Sequence, residues 1–123
     1  MVVVDASALA AVIFTEPEGP LVLQWLGDER HLTAPAILPF ELANAARTKI
    51  RKRPGDAAAL RANLADSLDR HVQFRPVDFS AVLDLALETD LSAYDASYLW
   101  LARRLGVRLV TLDKKLAAHA EKF

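Results

Sequence analysis

The chain opens on a short valine-rich run, Met1–Val4, that ends abruptly at Asp5 and passes without a linker into Ala6–Phe14, a segment that reads as helix. A continuous apolar run this short suits a strand covered on both faces, which is the situation of a parallel sheet layered by its own connecting helices. The alternation then recurs. Pro17, Gly19 and Pro20 break the first helix, and Leu21–Leu26 reads as a second. Leu32–Ala34 is a short strand running into Pro35. Pro39 suits the first turn of a long helix to about Lys52, stopped by Pro54–Gly55. Asp56 is placed to cap a helix to about Arg70, Phe74–Val77 reads as a strand, and Asp78 or Ser80 caps a helix ending near Thr89. Ser92 caps a helix through Leu105 with Gly106 as its stop, Val107–Leu112 is a further strand, and Asp113–Lys122 closes as helix. The expected fold is therefore α/β: one domain, residues 1–123, with a central parallel sheet of about four strands and helices on both faces.

Composition narrows the function classes. A chain of 123 residues, 53% hydrophobic and 25% charged, has the make-up of a folded globule. It has no cysteine, which excludes disulfides, thiolate zinc sites and cysteine nucleophiles and fits a cytoplasmic protein. No window approaches 18 uninterrupted apolar residues, so no membrane span or membrane partner is expected. With a net charge of −1, any contact with nucleic acid must go through a local basic patch.

Four acids carry the functional signal. Asp5 and Asp113 each stand at the carboxyl end of a strand with a helix following, the edge at which open α/β sheets bind ligands. Glu41 lies in the first turn of the helix after Pro39, and Asp95 lies early in the Ser92–Leu105 helix. Each alone is a common structural feature, a helix cap or a partner for the helix dipole. Together in one small domain they describe a pocket of like charges, which needs a cation or raised pKa values to be tolerated. Hard oxygen donors without Cys or His point to Mg²⁺ or Mn²⁺. Asn44, three residues after Glu41 on the same helical face, is placed to orient its carboxylate.

The segments VVVDASAL, PFELANAARTKI, LSAYDASYLWLA and LVTLDKKL, in that order and spanning nearly the whole chain, resemble the PIN domain of the VapC toxin type. The resemblance implies a PIN-like three-layer sandwich and a Mg²⁺- or Mn²⁺-dependent endoribonuclease that acts as the toxin of a toxin–antitoxin pair. It implies RNA as substrate, inhibition by a small antitoxin protein, and a homodimer. Carried over by motif, Asp5, Glu41, Asp95 and Asp113 are its successive metal-site acids, and Ser7 and Thr111 match positions where the family places hydroxyls near the site. After Asp113 the chain ends at Phe123, leaving little room for the edge strand that many relatives carry.

Chemically, hydrolysis of a phosphodiester at neutral pH needs an activated water and a neutralised phosphate, both of which a carboxylate-held Mg²⁺ supplies. Asp5 and Asp95 are the expected direct ligands. Asp113 and Glu41 bind directly, through water or to a second ion, and one carboxylate takes the water's proton. His31, His71 and His119 are tied to no serine by spacing, and Gly19, Gly27, Gly55 and Gly106 form no phosphate-cradling loop. Five of the seven residues Arg47–Arg53 are basic, which reads either as a phosphate track or as cations complementing a helix C-terminus. Trp25 and Trp100 lie in apolar helical segments that suit packing better than base stacking. The alternatives are a catalytically inactive PIN-like module that binds protein or RNA, or a phosphatase-like or receiver-like domain using the same sheet edge. Against the phosphatase stands Ser7, where it would have a second Asp, and against the receiver the lack of an acid pocket around Val77–Asp78.

Overall fold

The computed structural model describes residues 1–121. Four strands, β1 (Val2–Val4), β2 (Leu32–Pro35), β3 (Val72–Arg75) and β4 (Leu109–Val110), form one sheet in the order β3-β2-β1-β4, and every neighbouring pair is parallel. The helices are α1 (Ala6–Ile13), α2 (Gly19–Leu26), α3 (Leu38–Lys52), α4 (Ala57–His71), α5 (Phe79–Thr89), α6 (Ala93–Leu105) and α7 (Lys114–Ala120). The fold is the α/β arrangement that the alternation implies, a four-stranded parallel sheet covered by helices.

The strand order decides where a ligand can sit. From β1 the chain steps outward to β2 and then to β3, and afterwards crosses back over the sheet to β4 on the far side of β1. Parallel crossovers are right-handed, so reversing the direction of travel moves the connecting helices to the opposite face. The α1–α4 connections thus cover one face and α5–α6 the other, with α7 packed against α6. The reversal falls between β1 and β4, where the flanking helices diverge and leave a crevice at the carboxyl edge. Asp5 and Asp113 follow these two strands.

The core forms where apolar periodicity meets the sheet. Val2–Val4 are fully covered, in keeping with a central strand layered on both faces. Helix α6 buries Ala96, Ser97, Tyr98, Leu99, Leu101 and Ala102 against β1 and β2. Ser92 caps it by accepting from the Asp95 N–H at 3.1 Å, and Gly106 ends it in the left-handed conformation (φ 67°) that glycine adopts without a Cβ penalty. Helix α1 is apolar nearly all round because it packs among α2, α3 and α4, with Ala8, Leu9, Ala10, Ala11 and Ile13 in the core. A Cβ on Gly19 would stand 2.7 Å from the Ala11 carbonyl oxygen, so glycine permits that close approach.

Several boundaries differ from the sequence expectation. Strand β3 begins at Val72 rather than Phe74; as an edge strand it is only half covered, which blurs its apolar signal, and its register is set by pairing with β2 from Leu32↔Val72. The expected strand Val107–Leu112 contracts to Leu109–Val110, because its single partner β1 is three residues long. Helix α2 begins at Gly19, and Pro20 lies in its first turn, where its missing N–H costs nothing. Asp56 makes no side-chain cap; a 3-10 turn, Pro54–Asp56, leads into α4 instead. Asp78, and not Ser80, caps α5. Of the closing helix, Lys122 lies outside the described residues.

Candidate active site

Asp5 is the structural centre of the crevice. Its backbone still belongs to the sheet, with the N–H donating to Val110 O at 3.2 Å, while its side chain caps α1. Oδ1 accepts from the Ala8 N–H at 3.0 Å and from Ser7 Oγ at 2.7 Å, and Oδ2 accepts from Thr111 Oγ1. Both hydroxyl protons are therefore spent on Asp5, so the 3.4 Å approach of Ser7 Oγ to Thr111 Oγ1 is a contact without a shared proton. The hydroxyl oxygens accept in turn: Ser7 Oγ from the Leu112 N–H and Thr111 Oγ1 from the Asp113 N–H, both at 3.0 Å. Ser7 and Thr111 thus tie the end of β1 to the segment after β4, through residues 104 apart in the sequence. With two acceptor positions on each oxygen, Oδ1 is saturated and Oδ2 keeps one.

The other acids approach from both helical layers. Glu41, half-buried in the first turn of α3, accepts a 2.6 Å hydrogen bond from Tyr98 on Oε1, while Oε2 has no partner among the described residues. Asp95, in the first turn of α6, is half-buried beside its cap Ser92. Asp113 caps α7, accepting from the Leu116 N–H at 2.9 Å on Oδ1 and leaving Oδ2 unpartnered among the described residues. The structural role and the candidate functional role coexist in Asp5 and Asp113: capping occupies one carboxylate oxygen of each.

Burial and neighbouring charge act together on Asp5, Glu41 and Asp95. Burial holds the Asp5 carboxyl above the usual aspartate range, against hydrogen bonds from Thr111, Ala8 and Ser7, and the Asp95 charge adds to the rise. Glu41 is raised by burial and by repulsion from Asp95 and Asp5, opposed by the Tyr98 hydrogen bond. Asp95 is raised by burial and by Asp113, opposed by Ser92 and Lys115. Acids that disfavour one another's charge in this way form a site of stored negative potential. Among the described residues no group of three or more His, Cys, Asp or Glu side chains is gathered tightly enough to hold a metal ion as it stands.

An open cleft of about 590 Å³ lies against this edge, walled by Ser7, Glu41 and Asn44 together with Glu16, Glu18 and Leu112. Asn44 is exposed on its wall; among the described residues Glu41 takes its hydrogen bond from Tyr98 and none from Asn44. Tyr98 escapes the sequence reading although a signal exists. It follows Asp95 by three residues, one helical turn along the same face, and is a polar ring in an otherwise apolar segment. It is 1% exposed, and burial together with Glu41 pushes its hydroxyl far up, so it acts only as a donor. Glu16 and Glu18 escape as well, since nothing in a Pro- and Gly-rich connection announces that it folds back over the sheet edge. His31 and His71 stand before the first residues of β2 and β3, at the opposite edge, and His119 lies in the last turn of α7. Trp100 is half-buried against the core.

A family profile described as the PIN domain matches residues 2–122. The chain belongs to the PIN domain family. Within it, the ribonuclease VapC3 of Pyrobaculum aerophilum is 31% identical, over 98% of this chain and 93% of its own length. The exonuclease VapC9 of the same organism is also 31% identical, over 96% of this chain and 84% of its own. Among solved structures, PAE2754 of Pyrobaculum aerophilum superposes with a TM-score of 0.79 at 30% identity, covering 98% of this chain and 84% of that one. VapC20 of Mycobacterium tuberculosis, described as a sarcin–ricin loop cleaving toxin, gives a TM-score of 0.71 at 17% identity over 96% of this chain and 94% of that one, a likeness of fold. In this PIN domain the switch-point acids Asp5 and Asp113 come from opposite ends of the chain. Glu41 and Asp95 arrive on the first turns of helices from opposite faces.

Proposed function

We propose that this PIN domain is the toxin of a toxin–antitoxin pair, a Mg²⁺- or Mn²⁺-dependent endoribonuclease acting at the cleft beside Asp5, Glu41, Asp95 and Asp113. The single observation that carries the reading is the gathering of these acids at the switch point: burial raises Asp5, Glu41 and Asp95, and a neighbouring charge adds to each rise, Asp95 on Asp5, Asp95 and Asp5 on Glu41, and Asp113 on Asp95. An inactive binding module has no use for such a cluster, which costs stability unless something positive occupies it. The ribonuclease and exonuclease names of the relatives support nucleic acid as the substrate.

The donor set fits a hard divalent cation. It offers carboxylate oxygens only, with Asp5 Oδ2 retaining an acceptor position and Glu41 Oε2 and Asp113 Oδ2 unpartnered among the described residues. Asp5 and Asp95 would be the direct ligands, with Glu41 and Asp113 completing the set directly or through water. When bound, the cation neutralises the scissile phosphate and lowers the pKa of a nearby water. The protein's own side chains do the rest. Ser7 and Thr111 hold the Asp5 carboxylate in one orientation, and Tyr98 holds Glu41. A carboxylate of the cluster accepts the proton of the attacking water. Water, rather than the ribose 2′-hydroxyl, is the nucleophile, because no histidine pair stands at this edge to drive internal transesterification. The oxygen that leaves is the ribose 3′ oxygen, so the products carry a 5′-phosphate and a 3′-hydroxyl.

Exposed apolar surface supports the two protein partners. On α5, Phe79, Leu83 and Leu87 repeat at four-residue spacing and are 84%, 53% and 76% exposed, a stripe suited to pairing two copies as a homodimer. On α2, Leu21 and Trp25 are exposed, Trp25 on the wall of a separate open cleft with Arg108 and Leu109, an apolar face suited to an antitoxin helix whose continuation brings an arginine to the carboxylates in competition with the cation. The test of the catalytic reading is cleavage of a circular single-stranded RNA, which only an endonuclease can open. Linear products with 5′-phosphate ends, formed with Mn²⁺ and absent with EDTA or with Asp95→Asn, are expected. Products with 2′,3′-cyclic phosphates, or an inert circle beside a degraded linear RNA, overturn the mechanism or the endonucleolytic assignment respectively.

A further inference from the structure

A second open cleft, of about 510 Å³, lies beyond the acid cleft, lined by Phe14, Thr48, Lys49, Lys52 and Arg53 with Leu60, and the two clefts share one wall residue, Ala45. We propose that this second cleft is the track that holds the phosphates of the single-stranded RNA flanking the scissile bond, with Lys52 and Arg53 as its anchors. The inference rests on the RNA-cleaving reading of the first cleft and adds to it the path that the strand takes.

The charge of the second cleft favours an anion. Three cations face one acid, Asp56, and Lys52 and Arg53 are exposed with no ion pair among the described residues. Cations in the last turn of a helix complement its dipole wherever they point. The dipole does not account for these side chains lining a cleft that shares the wall residue Ala45 with a site for phosphodiesters. Lys52 follows Glu41 by eleven residues along α3, about 16 Å at 1.5 Å per residue.

The junction between the clefts is already held by an anion of the protein's own. Glu16 lines the acid cleft and pairs with Lys49 of the second cleft at 3.1 Å, while the Lys49 ammonium stands 5.6 Å from the Phe14 ring centre. The turn that delivers Glu16 runs through Thr15, whose left-handed backbone (φ 53°) is a costly conformation for a β-branched residue. Glu16 therefore stands where a phosphate crossing from one cleft to the other would find Lys49, and the RNA backbone displaces it from that partner.

The experiment measures binding, without turnover, of single-stranded RNAs of three and eight nucleotides to the full chain in EDTA, by fluorescence anisotropy across a salt series. The eight-nucleotide RNA is expected to bind at least tenfold tighter than the three-nucleotide RNA. Lys52→Ala with Arg53→Ala should abolish that increment and make the dependence of log K on log salt shallower by about 1.4, the value for two single-strand phosphate contacts. Glu16→Gln should tighten binding of the longer RNA several-fold by freeing Lys49. Arg30→Ala, an exposed charge at the opposite sheet edge, should change nothing. A double variant that binds the longer RNA like the parent with the parental salt slope overturns the track. So does an acidic peptide of equal length that binds as tightly as the RNA, since the cleft then belongs to a protein partner. Length-dependent binding through Lys52 and Arg53 in a chain that cuts no RNA upholds the track and defeats the nuclease reading. Cleavage with unaltered RNA binding in the double variant does the reverse.

Discussion

Replacing Thr111 by valine keeps a β-branched side chain at a buried position and removes the proton that it donates to Asp5 Oδ2. A hydrogen bond to a charged group contributes about 1.5–3 kcal/mol, and Asp5, 4% exposed, cannot readily recruit water in its place. The second partner of the hydroxyl, the Asp113 N–H, belongs to an exposed residue that water can serve, so the loss is concentrated at Asp5. We expect a loss of about 2 kcal/mol at pH 7, a fall in Tm of roughly 6–10 °C for a domain of this size. The loss depends on pH. The folded pKa of Asp5 is raised, so its contribution to stability is present below its unfolded pKa and is lost as pH rises through the folded one. Removing the Thr111 donor raises that pKa further. The two proteins should therefore differ least below about pH 4, near the unfolded pKa, and diverge as pH rises through the folded value. Denaturant melts in EDTA from pH 4 to 8 measure this, and Thr111→Ser, which keeps the hydroxyl, should restore most of the loss. An equal loss at both ends of that range, or none at pH 7, refutes the claim that Thr111 acts through a charged Asp5.

If the acids hold a cation with a dissociation constant of about 1 mM, 10 mM Mg²⁺ should stabilise the fold by about 1.4 kcal/mol, or roughly 4–7 °C in Tm. Asp95→Asn should melt no lower than the parent in EDTA, since it relieves repulsion, and should lose the Mg²⁺ response; a lower melting point with an intact response places Asp95 outside any metal site. Tyr98→Phe removes the donor to Glu41 Oε1 and should cost about 2 kcal/mol at neutral pH and weaken the Mg²⁺ shift, whereas a purely packing role for the ring leaves that shift unchanged. Leu83→Asp with Leu87→Asp alters only exposed positions of α5, so light scattering should report a monomer that melts like the parent; a persistent dimer moves the pairing surface elsewhere.

Much of this architecture is legible in local chemistry. Short β-branched runs followed by capped helices require a parallel sheet, because only covering helices bury both faces of such strands. The capping role of Asp5, Asp78, Ser92 and Asp113 depends on residues three or fewer positions away, and the sequence displays it directly. The placement of the four acids is legible for a related reason: each is anchored to a strand end or a first helical turn, and parallel topology sends those ends to one edge.

Local chemistry alone therefore sets these elements and the end of the sheet at which the acids gather. Long-range packing set the strand order that makes β1 and β4 neighbours, and with it the hydrogen bonds from the Thr111 hydroxyl to Asp5, 106 residues away, and from the Leu112 N–H to Ser7, 105 residues away. It also decided that Tyr98 rather than Asn44 holds Glu41, because a hydrogen bond between α3 and α6 depends on how two helices pack and not on the spacing within either. The lengths of β3 and β4 were likewise set from outside, by the strands they pair with, since an edge strand with half-exposed side chains carries little apolar pattern of its own. Glu16 entered the site through a loop whose course depends on the contact of Gly19 with Ala11, a long-range steric fact that no local pattern encodes.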